Sequence, residues 1–138
     1  MTTVADAEML ALVASARAAR DRAYAPYSGF VVGAALLDEH GRIHAGCNVE
    51  NAASPQGQCA EASAIAHLIL SGGTRIVAAA VVAVAAEPVT PCGGCRQRLR
   101  EFAADDCPVW SADLQAVRAR HTLGELLPAS FGPQHLKR

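Results

Sequence analysis

The chain has 138 residues, 51% of them apolar and 18% charged, with a formal net charge of −1. That supplies a core for one ordinary domain, residues 1–138, and argues against disorder. It excludes the basic field that holds a polyanion, and 4% aromatics is too few for a base-stacking track.

Met1 to Glu8 lacks a basic leader segment, and no apolar run approaches membrane length. The expectation is a soluble, cytoplasmic protein with a small-molecule substrate, no nucleic acid and no membrane. Met9, Leu12, Val13 and Ala16 recur at helical spacing, which predicts a helix over Glu8–Ala23. Thr3 and Asp6 resemble a capping box upstream of it, and Pro26 stops it.

Phe30–Leu37 and Arg42–Val49 read as two strands joined by the turn Asp38-Glu39-His40-Gly41. Gln58–Leu70 reads as a helix closed by Gly72-Gly73. Ile76–Val84 is a Val-rich apolar run, the pattern of a strand covered on both faces. Cys92–Ala103 reads as a helix after Pro91, followed by short strands at Val109-Trp110 and Gln115–Arg118. Thr122-Leu-Gly-Glu125 is a capping box opening a last short helix. The order α-β-β-α-β-α-β-β-α implies an α/β fold: an opening hairpin, then strand–helix–strand units with parallel neighbours.

Five cysteines is an odd number, and two of them form Cys92-Gly-Gly-Cys95 at a predicted helix start. Positions i and i+3 share a helix face, so both sulfurs can grip one ion, and the helix N-terminus favours thiolates. A CxxC alone also suits a redox pair. Cys59-Ala-Glu61, at another predicted helix start, strengthens the metal alternative. It brings a third thiolate and sets a carboxylate beside the ion. Three sulfur ligands leave tetrahedral zinc one open position for water, and Glu61 stands ready to move protons. The competing arrangement is a structural zinc with Cys47 or Cys107 as fourth ligand. The histidines show no ligand spacing. Arg96, Arg98 and Arg100 read as a solvated helix face.

Cys59-Ala-Glu61 with Pro91-Cys-Gly-Gly-Cys95 matches the zinc deaminase signature, with Cys in place of its His. Tyr24-Ala-Pro-Tyr-Ser-Gly-Phe30, Val32-Gly-Ala-Ala-Leu-Leu37, Gly46-Cys-Asn-Val-Glu-Asn51 and Glu125-Leu-Leu-Pro-Ala-Ser-Phe-Gly-Pro133 extend the match. Together these blocks resemble the small homotetrameric cytidine deaminases. The resemblance implies a three-layer α/β/α sandwich with a mixed five-stranded sheet, and one Zn²⁺ per chain on Cys59, Cys92 and Cys95. It implies Glu61 as the catalytic proton carrier, deaminating cytidine and deoxycytidine in pyrimidine salvage. It implies Asn48 and Glu50 on the ribose 3′-hydroxyl and Phe30 against the pyrimidine. The backbone around Ala60 and Cys92 would hold the ring, and Phe131 would reach into a neighbouring subunit's pocket of a homotetramer.

Three departures stand out. Ala62 takes the place of an arginine that in this family follows Cys-Ala-Glu and offsets the charge of the sulfurs; Arg96 is expected to take up part of that task. Ala53-Ser54 replaces a Cys-Tyr pair whose tyrosine helps join subunits, and Val31 replaces a proline after Phe30. Blasticidin S deaminases share the zinc motif and also lack that arginine, which keeps a modified cytidine or another aminopyrimidine as the alternative substrate. They lack the Asn-x-Glu-Asn run that this chain keeps.

Overall fold

In the computed structural model, residues 6–137 are described. The first helix, α1, runs Asp6–Arg20 and buries Leu12, Val13 and Ala16, the stripe its spacing predicts. It ends three residues earlier than expected, in turns at Arg22 and Ala23. Thr3 of the expected capping box lies outside the described residues.

The strands β1 (Gly33–Asp38) and β2 (Ile43–Cys47) form the expected antiparallel hairpin, with Ala35 opposite Ala45. Gly41 turns it with φ near +80°, a conformation glycine adopts without a Cβ penalty. The helix α2 (Ala60–Leu70) leads to β3 (Ile76–Val82), and α3 (Gly93–Arg100) leads to β4 (Pro108–Ala112). The strand β5 (Val117–Thr122) and α4 (Leu123–Leu126) close the chain, and Thr122 and Glu125 make the expected reciprocal capping box. The element order is as the sequence implies.

The sheet order is β2-β1-β3-β4-β5. Only β3 and β4 are parallel; the other three pairs are antiparallel. This corrects the expectation of parallel neighbours for both strand–helix–strand units. β1 sits between β2 and β3, so the crossover through α2 joins strands that point the same way without touching. The hairpin occupies the slot.

Period-2 alternation divides β1 between two cores. Ala35 and Leu37 face Leu12, Val13 and Ala16 of α1. Ala34 and Leu36 face the other side, with Ala60, Ala64 and Leu68 of α2, Leu99 of α3 and Leu123 of α4. The result is the mixed five-stranded α/β/α sandwich. Small residues bring α2 down onto the sheet: a Cβ on Gly46 would lie 2.4 Å from the Ala64 backbone nitrogen and 2.6 Å from the Ala60 oxygen. That close seat fixes the start of α2, where Cys59 lies.

Two polar side chains, Asp38 and His44, are buried at the hairpin. Asp38 accepts from the backbone N–H of His40 at 2.8 Å and of Arg42 at 2.9 Å, and from Arg42 Nε at 3.0 Å. Its other neighbour is His44 Nε2 at 2.7 Å, and His44 Nδ1 lies 3.3 Å from His67 Nδ1 on α2. The hairpin is thereby tied to the helix it supports.

Candidate metal centre and cavity

The two crossover helices begin side by side. Cys59 caps the N-terminus of α2 and Cys92 that of α3, both with extended backbone and neither spending its side chain on a cap hydrogen bond. Cys95 sits in the first turn of α3. The three Sγ atoms lie within 4.8 Å of one another, and those of Cys59 and Cys92 are 3.9 Å apart. Tetrahedral zinc with Zn–S bonds of about 2.3 Å places its sulfurs about 3.8 Å apart, so the spacing fits. Among the described residues no other His, Cys, Asp or Glu group forms such a cluster.

The donor chemistry also fits a cation. Burial pushes the Cys59 thiol up, and burial together with Glu61 pushes Cys95 strongly up. Burial acts on Cys92 too, but the Cys95 backbone N–H and the neighbouring thiols outweigh it and bring Cys92 down. Without a cation, close packing and mutual repulsion work against ionising all three sulfurs. Three thiolates share this volume only around a positive ion, as in a three-thiolate zinc site. Cys47 and Cys107 stand outside the cluster. Cys107 is buried in the core away from these sulfurs, which removes it as a fourth ligand.

Glu61, one residue into α2, is only 5% exposed. Burial pushes its carboxyl up, and its own backbone N–H, the Cys95 thiol and the charge of Arg98 pull back without prevailing. Burial thus favours the protonated form of Glu61 more than in a solvated carboxyl, which suits an acid that must both take and give a proton.

A cavity of about 330 Å³ opens in front of these groups. Phe30, Asn48, Glu50, Cys59, Ala60, Glu61 and Cys92, all named from the sequence as site candidates, line it. Ser28, Val32, Val81, Val89 and Thr90 line it as well and were not foreseen. Val81 carried a usable signal, its place near the end of the buried strand before the CxxC. The loop residues carried none.

Glu50 receives the backbone N–H of Tyr27 at 2.9 Å and of Ser28 at 3.2 Å, together with the Ser28 hydroxyl. The Ser28 hydroxyl and these N–H groups hold its carboxyl below the usual range. Asn48 works inside the chain: its Oδ1 accepts from Val32 N–H at 2.8 Å and its Nδ2 donates to the Phe30 carbonyl at 2.9 Å. It therefore holds the loop that carries Phe30, leaving one amide proton and one lone pair for a ligand. Phe131 does not line this cavity. It is 55% exposed and stacks on His135, with ring centroids 4.9 Å apart.

The three α3 arginines are no free solvated face, which corrects the expectation. Arg96 donates to the Pro91 carbonyl (2.7 Å), the Leu126 carbonyl (2.8 Å) and Thr90 Oγ1 (2.8 Å). It clamps the loop before Cys92 and gives nothing to a sulfur, so the charge-balancing task expected of it is not its own. Arg100 binds Ser130 Oγ and the Ala103 carbonyl.

Comparison with known proteins agrees with this geometry. The family profile described as the cytidine and deoxycytidylate deaminase zinc-binding region matches residues 6–111. A cytidine deaminase of Sporosarcina psychrophila is 43% identical over 125 residues, covering 91% of this chain and 92% of the relative. The crystal structure of cytidine deaminase from Burkholderia pseudomallei superposes with a TM-score of 0.83 at 42% identity, covering 88% of this chain and 98% of that one. The Mycobacterium tuberculosis cytidine deaminase structure gives a TM-score of 0.77 at 39% identity, covering 94% and 99%.

Proposed function

The chain belongs to the cytidine and deoxycytidylate deaminase family, and we propose that it hydrolyses cytidine to uridine and ammonia through the residues gathered at this cavity. The observation that carries the proposal is three sulfurs within 4.8 Å of one another beside the buried carboxyl of Glu61, on the wall of one cavity.

Zinc held by Cys59, Cys92 and Cys95 supplies Lewis acidity, which makes water a stronger nucleophile near neutral pH. Glu61 takes a proton from that water as its oxygen bonds to C4 of the pyrimidine. It hands the proton to ring N3, so the C4–N3 double bond becomes single. Glu61 then carries the second water proton to the exocyclic amine. The C4–N bond breaks, ammonia leaves, and the oxygen remains as the carbonyl of uridine. Burial suits Glu61 to both halves of this transfer, because it makes the protonated and ionised forms closer in energy.

The apolar wall of Phe30, Val81 and Val89 accepts the faces and edge of the base. The backbone at Ala60 and Cys92, facing the same cavity, holds the ring's polar edge. Glu50 and the remaining valences of Asn48 take the ribose 3′-hydroxyl. That group is common to cytidine and deoxycytidine, so both are substrates, in keeping with a role in pyrimidine salvage. The exposed rings of Phe131 and Tyr27 support a homotetramer in which Phe131 completes a neighbour's site. No described helix is long and apolar enough to cross a membrane.

The test is direct. Zinc-loaded protein given cytidine should release uridine and ammonia in equal amounts, lose activity on chelation and recover it with zinc. Zinc-loaded protein that leaves cytidine intact but deaminates another aminopyrimidine in a substrate panel would overturn the cytidine assignment.

A further inference from the structure

Three thiolates on a divalent zinc ion leave the site with a net charge of −1, and the Glu61 carboxylate adds to it whenever ionised. Cys92 is exposed and Cys59 half-buried, so water screens that side, but Cys95 is fully buried and negative charge on its sulfur needs a nearby cation. Arg96 is committed to the Pro91 and Leu126 carbonyls and Thr90.

Arg98 is placed differently. It lies one helical turn beyond Cys95 on α3, and its Nη1 stands 3.8 Å from Cys95 Sγ, the most buried of the three sulfurs. Arg98 and Ala62 line the same cleft between α2 and α3. The methyl group of Ala62 takes little of that space, leaving room for the guanidinium.

We propose that Arg98 is the cation that balances the zinc site, a positioning residue that acts through the Cys95 sulfur. A charge-assisted N–H donated to a thiolate draws off electron density. With zinc bound, such a contact would offset part of the negative charge on the sulfur and leave the metal a better Lewis acid. The chain thus places its balancing charge on the helix that carries two of the ligands, opposite the alanine on the helix that carries the third. This rests on the three cysteines as the zinc ligands.

The experiment measures zinc transfer to a chromophoric chelator from the parent protein and from R98K, R98M and C95A. Methionine keeps most of the arginine stem and removes the charge. R98M should bind zinc about tenfold more weakly, in line with other outer-sphere partners of metal ligands. R98K should keep most of the affinity. With cobalt in place of zinc, the thiolate-to-metal charge-transfer band of R98M should move to lower energy. Loss of packing alone would not move it. The proposal is overturned if R98M holds zinc as tightly as the parent, or if R98K is as weak as R98M. C95A separates the two layers: full zinc retention there would overturn the ligand assignment itself, whatever Arg98 does.

Discussion

Asp38 and Glu61 are the buried acids among the described residues, 1% and 5% exposed, and their surroundings drive them in opposite directions. Burial pushes both up. Around Asp38 that push is overcome by His44, by the backbone N–H groups of Arg42 and His40, and by the Arg42 side chain, which hold it well below the usual carboxylate range. Around Glu61 the opposing groups are fewer and burial prevails. Desolvation acts on both, yet the carboxyl at the hairpin is held down and the one at the start of α2 is held up. What differs is the number of donors that meet the carboxylate. A buried acid with its lone pairs filled is part of the scaffold. One kept short of donors beside a metal site is available for chemistry.

That contrast can be broken from the Asp38 side. Asp38→Ala leaves His44 and two hairpin N–H groups without their acceptor. It should destabilise the zinc-loaded protein by about 3 kcal/mol, read as a lowered urea midpoint. Turnover per folded molecule should be unchanged, because Asp38 does not face the cavity. A variant that unfolds like the parent but turns over slowly would reverse the roles assigned to the two acids.

A smaller effect should appear in acid. Because Asp38 is depressed in the folded state, its contribution is complete above the unfolded carboxyl value of about 3.9 and is lost as pH falls through that value towards the folded one. The stability gap between parent and Asp38→Asn should thus be full near neutrality and shrink below about pH 4. A gap that grows in acid would have the wrong sign for a depressed acid.

The two regions also differed in how far the sequence revealed them. Cys59, Glu61, Cys92 and Cys95 were legible because each falls at a helix start marked by local features: a break, a Pro, and a change from strand to helical periodicity. Asp38 read only as a turn residue and His44 as nothing. Their meaning lies in hydrogen bonds across the hairpin and to α2, which no periodicity records. Asn48 is similar, since its two bonds to the Phe30–Val32 loop are tertiary. The sheet order was lost for a related reason. The continuous apolar run Ile76–Val84 marks a strand covered on both faces, but does not reveal that β1 lies between it and β2. The edge strand β5 was started two residues early and ended four residues early, as its exposed face is carried by Arg118 and Arg120 and its buried pattern is weak. The α3 arginines show the limit most clearly. Alternate charges on a helix look alike in sequence, yet one clamps a loop, one meets a sulfur and one holds Ser130 near the C-terminus.

The most direct measurement on Glu61 is the initial rate of uridine formation by Glu61→Gln, compared with the parent at equal zinc content and saturating cytidine. Glutamine keeps the shape and removes the proton carrier. The rate should fall by about 10²- to 10⁴-fold with no loss of folding stability. An unchanged rate in the zinc-matched variant would contradict the assignment of proton transfer to Glu61.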